Sequence, residues 1–439
     1  MTIMLRSPLL VVMCVGYFLV LLDVTVVNVA LPAIGTSLDA DPTGLQWVVD
    51  GYALALAGLL LVGGTVGDVH GHKRVVITGL AVFGLASLAC GLVPGVGWLV
   101  GARFAQGAGA ALLLPGTLAI ITDAFPDRAA RARAIGVWAS VGSAALPAGP
   151  LLGGLLVAVG WRTVFFLNVP IVLVAAIVTA RVATNREHTG ARRADWLGAV
   201  LATALLTTVT FAVIEQAWWL LAVSAALLAA FVAAERATTD PMLPPRLFRK
   251  PTFSVANAVA GTMNLCTLGL LFLVTQYLQT VRHLSALAAG LSLLPLFLPL
   301  PLLAPAIGRL TGRIGPRRPV AAGLALAAAG FALLTAIGTD SSYWALLPTL
   351  LLWGTGLGLL TPSVVAAAVG AVEERSGLAS AVNNTARQAG GAVGIAAFGA
   401  LAGDASNTGS FVSGMHVAGL VSVALFLVAA LSTGLIRSD

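Results

Sequence analysis

Fourteen times along the chain, a run of at least about 17 predominantly apolar residues ends in glycine, proline or a cluster of charge. Runs of that length cross a bilayer as helices. They fall near 8–33, 45–66, 75–94, 98–121, 132–159, 163–181, 194–214, 217–235, 252–279, 285–308, 318–338, 342–369, 378–403 and 412–436. Only 9% of the residues are charged, where an ordinary soluble domain has about a quarter. The fold class is therefore all-α integral membrane. The first run is too long for a signal-peptide core and is expected to stay as the first span. A net charge of +7 would suit nucleic acid only on the basic face of a soluble domain, and no such domain is legible here. Cys14, Cys90 and Cys266 sit in three separate runs and read as small buried hydrophobes, without disulfide or metal spacing.

Lysine and arginine orient the spans. Twenty of the 24 lie in one alternating set of connections and ends, from Arg6 through Lys73 and Arg74 to Arg437. The other set holds only Arg162 and Arg282, while Arg103 and Arg387 lie inside runs. A multi-pass protein of the plasma (inner) membrane with both termini cytoplasmic is expected.

The connection GGTVGDVHGHKR, Gly63 to Arg74, is echoed by IGRLTGRIGPRR, Ile307 to Arg318. With the seventh and eighth runs set aside, these become the same connection in two six-helix halves. The expected organisation is 1–182 as the first half, 183–250 as a linker with two inserted helices, and 251–439 as the second half. Duplicated halves with a site at their interface are the architecture of alternating-access transporters.

Four charged residues lie inside the runs: Asp23, Asp50, Arg103 and Arg387. A charge at the bilayer centre costs at least about 2.5–3.5 kcal/mol, so such residues mark ion or substrate paths. Asp23 lies about ten residues, or roughly 15 Å, from the outer end of its run, which is the midplane. Asp50 and Arg103 share a depth of about 7–8 Å below the outer surface, which makes them candidates for a pair. Arg103 shares a helical face with Gln106 and Gly107, as Asn383 does with Arg387, Gly390, Gly391 and Gly394, and Gln388 adjoins that second arginine. Asn28 lies about 140° around its helix from Asp23 and is expected to bond a neighbouring helix. Asn264, Gln276 and Gln279, with Trp47 and Glu215 near outer ends, complete the polar set, although an interfacial tryptophan is commonly a membrane anchor.

In GVWASVGSAALPAGPLLGG, which begins at Gly136 and ends at Gly154, the residues Gly142, Ala145, Gly149 and Gly153 share one face. A bare face lets another helix approach closely, and Pro150 removes a backbone donor and bends the helix. A packing seam explains that face as it stands. Asp68, Lys73 and Arg74 occupy a short cytoplasmic turn where charge costs little, and a topology anchor explains them.

These motifs resemble the major facilitator superfamily, and within it the fourteen-helix drug:proton antiporters. GTVGDVHGHKR resembles the superfamily's signature loop, with Gly64, Asp68, Gly71 and Lys73 in place, but with Val69 and His72 where arginine is usual. LVGARFAQGAGAA resembles the fourth-helix motif around Arg103, and the Gly136–Gly154 stretch the fifth-helix antiporter signature. LDVTVVNVALP, WRTVFFLNVP and NNTARQAGGAVGIAAFG are similar to stretches of methylenomycin-resistance-type exporters of actinobacteria. The resemblance implies two six-helix bundles plus two inserted helices, a cytoplasmic gate at Asp68, and a fifth-helix seam that seals against ion leak. It also implies a small-molecule drug or antibiotic as substrate, protons as the driving partner, the lipid bilayer as surroundings, function as a monomer and no cofactor.

Asp23 then has a purpose. A midplane carboxylate is either neutral with a proton or charged opposite a cation, and if drug and proton compete for it the gradient drives export. Each proton moved inward across 100 mV supplies about 2.3 kcal/mol. Transport of a physiological metabolite on the same fold is the alternative. Against an enzyme stand the lack of a nucleophile motif, a metal-ligand spacing or a Walker loop in the sequence.

Overall fold

In a computed structural model the chain is described over residues 8–125, 127–183, 195–239, 241, 243–372 and 376–436. The regular structure of these residues is helical. The helices α1 (Pro8–Leu38), α2 (Pro42–His70), α3 (His72–Leu92), α4 (Val96–Ala124) and α5 (Arg128–Val159) come first. The helix α6 runs as Thr163–Phe166 and, after Leu167, Asn168–Val182; α7 (Trp196–Ile214) and α8 (Leu220–Ala237) follow. Next is α9 (Pro251–Gln276), which ends in a π-helical turn, Tyr277–Val281. Then come α10, in three consecutive pieces (Ala286–Ser292, Leu294–Phe297, Pro299–Ile314), α11 (Arg317–Leu334), α12 (Tyr343–Gly370), α13 (Ser376–Ala402) and α14 (Thr408–Ser432).

Among the described residues twelve segments are long and apolar enough to cross a membrane. The helices α5 and α13 are long but are not among the twelve, so length and apolarity alone do not reach the expected fourteen. Composition explains this for α13, which carries Asn383, Asn384, Thr385, Arg387 and Gln388 within two turns. Large apolar side chains face outward, with Leu431 84% and Val159 81% exposed. Surfaces of that kind are stable against lipid, which is as apolar as leucine.

The described chain divides into two compact units, Met1–Thr207 with Ala225–Met242, and Thr208–Ser224 with Leu243–Asp439. Within the first, α1 packs on α4, α5 and α6, α2 on α4, and α3 on α4 and α6. Within the second the same pairings recur eight helices later: α9 on α12, α13 and α14, α10 on α12, and α11 on α12 and α14.

Local features of the two units also correspond at a fixed offset. Asp39 and His283 both have positive φ (49° and 54°) ahead of the second helix of their unit. Asp41 caps α2 by accepting from the Gly44 amide, and Ser285 caps α10 by accepting from that of Ala288. The left-handed glycines Gly71 (φ 88°) and Gly315 (φ 76°) turn the chain into α3 and α11. Each pair lies 244 positions apart. The register moves to 247 at α4 and α12, where Pro115 and Pro362 fall inside the helices. There, a Cβ on Gly107 would meet the Tyr52 carbonyl, and one on Gly354 the Leu296 carbonyl, 244 residues beyond Tyr52.

The glycine seams lie on the α1–α5 and α9–α13 pairs. Tyr17 occupies the space over Gly142 and stacks on Trp138 with ring centroids 3.8 Å apart. A Cβ on Gly149 would lie 1.9 Å from Thr25 Oγ1. In the second unit Gly390 faces the carbonyl of Gly261, and Gly394 that of Leu265, at 2.1 and 2.0 Å from a built Cβ. Backbone cannot rotate aside, so Gly390→Ala or Gly394→Ala is expected to cost about 1–3 kcal/mol. Gly308→Ala, with nothing within 4 Å, is expected to be neutral. Thermal unfolding of the purified protein in detergent checks the contrast.

Candidate functional site

Asp23 is fifteen residues from either end of α1 and is 1% exposed. Its partner is Arg103 of α4, which is fully buried. One Arg103 nitrogen, Nη1, holds Asp23 Oδ2 and donates to Gln106 Oε1 at 2.7 Å; Nε donates to the Val48 carbonyl of α2 at 2.9 Å. The guanidinium lies 4.4 Å from the Tyr52 ring centroid and 6.0 Å from that of Phe165. The other terminal nitrogen, Nη2, has no hydrogen-bond partner.

Gln106, one turn along α4, donates from Nε2 to Asp23 Oδ1 and to Ser87 Oγ of α3, both at 2.9 Å. Asn168 of α6 donates to the same two atoms at 3.4 and 3.3 Å. Thus α1, α2, α3, α4 and α6 meet on one buried polar cluster in which Asp23 and Arg103 match one negative charge with one positive charge. Breaking a buried ion pair by removing one partner costs about 3–5 kcal/mol.

Two expectations are corrected. Arg103 does not pair with Asp50. Residues 48 and 52, one turn apart, form the face of α2 that meets Arg103, and position 50 lies about 200° round the helix from 48. Equal depth therefore does not bring the two charges together. Asp50 is fully buried and neither carboxylate oxygen has a hydrogen-bond partner. Asn28 does not bond a neighbouring helix. Its Nδ2 donates to the Val24 carbonyl of its own helix at 2.7 Å, and its Oδ1 has no partner. Ser87 and Asn168 are not among the sequence candidates; a lone serine or asparagine in an apolar run gives no signal, although Asn168 falls within the stretch WRTVFFLNVP.

The remaining candidates are dispersed. Trp47 is half-buried with its ring 6.5 Å from Phe104, and Glu215 is exposed. In the second unit Asn264 and Gln276 are buried, and Gln279 lies in the π-helical turn. Asn383 donates to Asn257 at 3.3 Å, tying α13 to α9, while Arg387 and Gln388 are half-buried on α13. Gly149, Pro150, Gly153 and Gly154 are buried in α5. The expected turn is narrower than the sequence suggests: α2 runs on through position 68 to His70, only Gly71 separates it from α3, and Lys73 and Arg74 lie in the first turn of α3. Gly64 is half-buried within α2, and Lys73 donates to the Ala180 carbonyl at 2.7 Å, neutralising the last turn of α6. Arg74 is exposed. The side chain of Asp68 lies outside the described residues, and of Gly136 only its place in α5 is described.

Among the described residues of the second unit, the corresponding positions do not repeat the charged cluster. By the repeat register, Asp23, Ser87, Arg103 and Gln106 correspond to Thr267, Phe331, Leu350 and Trp353. There the Trp353 indole nitrogen donates to Thr267 Oγ1 at 3.4 Å, and its ring meets Phe331 edge-on at 5.3 Å. An aromatic plug fills the place of the ion pair.

The model of the Major Facilitator Superfamily matches residues 13–395. The multidrug resistance protein Stp of Mycobacterium tuberculosis is 37% identical over 400 residues, covering 88% of this chain and 74% of that protein. The methylenomycin A resistance protein of Streptomyces coelicolor is 38% identical over 395 residues, with 88% and 83% covered. The puromycin resistance protein pur8 of Streptomyces alboniger is 36% identical over 401 residues, with 88% and 80% covered. Among solved structures, a bacterial homologue of the human lysosomal transporter Spinster, inward-facing and occupied, matches with TM-score 0.69 at 17% identity, covering 99% of this chain and 97% of that one. A second, from work on substrate recognition in proton dependent oligopeptide transporters, matches with TM-score 0.70 at 14% identity over 98% and 100%. Two units with one pairing pattern, and a family match spanning both, place the chain in the Major Facilitator Superfamily.

Proposed function

We propose that this protein is a proton-driven exporter of hydrophobic antibiotics or drugs that works by alternating access. In this reading it is a plasma-membrane monomer of fourteen spans with both termini cytoplasmic, and 183–250 is an insert between the halves 1–182 and 251–439. The names of its relatives, resistance and export proteins of the same family, support the substrate class.

One observation carries the coupling: within the first unit Asp23 and Asp50 are buried in opposite circumstances. The charge of Asp23 is held by Arg103, Gln106 and Asn168, whereas no donor holds Asp50. Leaving a carboxylate charged and unpaired in a dry interior costs several kcal/mol, so Asp50 needs either a proton or a cation. That exclusive choice is what antiport requires. Asp50 exchanges the proton against the drug, and Asp23 keeps Arg103 neutralised throughout. The Lys73 contact fastens the cytoplasmic end of α3 to α6, and the α5 seam excludes water and ions beside α1.

Inside-out vesicles with an imposed pH gradient are expected to accumulate labelled drug, and collapsing the gradient should abolish that accumulation. Persistent transport with ATP present and no gradient would exclude antiport. A cysteine at Thr408 is expected to react with an impermeant thiol reagent from outside, and one at Ser376 is not. The reverse pattern would sink the fourteen-span topology.

A further inference from the structure

Gln46 stands one turn before Asp50 on α2. It is 4% exposed, and its Oε1, like both oxygens of Asp50, has no hydrogen-bond partner. Residues four apart share a helix face, so three acceptor oxygens lie together on the side of α2 turned away from Arg103. Buried donors find acceptors in their own helix, as the Thr25 hydroxyl and the Asn28 amide nitrogen do at the Leu22 and Val24 carbonyls. An acceptor oxygen has no such recourse, since the helix N–H groups are already bonded, and each unsatisfied group of Gln46 and Asp50 costs about 1–3 kcal/mol.

The fold does not demand these side chains. At the repeat offset of 244 the same two places are held by Gly290 and Leu294, on a helix that packs against α12 as α2 packs against α4. Polar atoms that are costly, unpartnered and dispensable to the architecture are explained by a ligand that brings the missing donors. A protonated primary amine carries three N–H donors and one positive charge, matching three acceptors and one carboxylate.

We propose that Gln46 Oε1 and the Asp50 carboxylate together receive the ammonium group of an amine-bearing substrate, with Gln46 setting the preference for primary over fully alkylated amines. This rests on the efflux reading for its biological meaning, and on the geometry alone for binding. A quaternary ammonium satisfies Asp50 by charge but offers Gln46 no donor. It therefore gains nothing from that residue.

The test uses the full chain in lipid nanodiscs with two fluorescent probes, dansylcadaverine and its N,N,N-trimethyl analogue, read at equilibrium without a gradient. Wild type is expected to bind the primary amine about tenfold more tightly than the trimethyl compound, the scale of a hydrogen bond to a charged group. In Gln46→Leu that ratio is expected to fall to within about twofold. Gln46→Met serves as a second variant of similar length, with thermal unfolding as the control for both. An unchanged ratio in both variants, or a wild-type ratio near one, would overturn the amine site and leave the oxygens to water. Vesicles separate this from efflux: gradient-driven transport of a dye without an amine, beside a binding ratio near one, removes the amine site only. A high ratio that depends on Gln46, without gradient-driven transport of any probe, removes the efflux reading and keeps the site.

Discussion

Replacing Asp23 with asparagine is expected to destabilise the protein by about 3–5 kcal/mol, because it strands the fully buried Arg103 beside a neutral amide. Arg103→Gln should be similarly damaging, since Asp23 would then keep only the two amide donors from Gln106 and Asn168. The double variant Asp23→Asn/Arg103→Gln removes both charges together and is expected to recover a large part of the loss. Unfolding of the four proteins in detergent gives the coupling energy of the pair, which should account for most of the destabilisation seen in either single variant. Wild-type stability in Asp23→Asn would show that the pair does not hold the cluster together.

The second unit bears on this result. It keeps the same helix pairings with Thr267, Leu350 and Trp353 where the first has Asp23, Arg103 and Gln106. A major facilitator half therefore folds without an ion pair at its centre. Once an ion pair is present, however, both members are needed. Stability is lost by breaking it and not by lacking it, which is why the double replacement is the informative one.

Much of the architecture is legible from periodicity. The apolar runs give the helices, and the stretch Gly63–Arg74 with its echo at Ile307–Arg318 points to a repeat, because a positive-φ glycine, Gly71 or Gly315, turns the chain between two helices in each. The equivalence of Gln106 with Trp353 is not legible. Three extra residues between α11 and α12 shift the register from 244 to 247, and the side chains share no chemistry. The partner of Arg103 escapes the sequence for a different reason. Depth along a helix follows from counting, but which helix faces which follows only from packing. Asp50 has the right depth on the wrong side of α2, while Asp23 lies within reach from α1. The seam glycines read as a bare face, and they form one, yet nothing in the sequence shows that Tyr17 fills one of the gaps.

Asp50→Asn is expected to separate folding from coupling. The replacement keeps size and exchanges an ionisable carboxyl that no donor satisfies for a neutral amide, so yield and thermal stability should match or exceed wild type. Transport should not survive. Without a titratable group the site can neither take the inward proton nor release it to a competing cation, and gradient-driven accumulation in inside-out vesicles should fall by roughly 100-fold, the lower end of what a positioned proton carrier contributes. Asp50→Glu restores the titratable group one methylene further along and should regain part of the rate. Counterflow, in which unlabelled drug on one side drives labelled drug from the other, needs no net proton movement and should persist in Asp50→Asn for an uncharged substrate. Full gradient-driven transport by Asp50→Asn would move the proton to Asp23, and the ion pair with Arg103 would then have to open and close in every cycle.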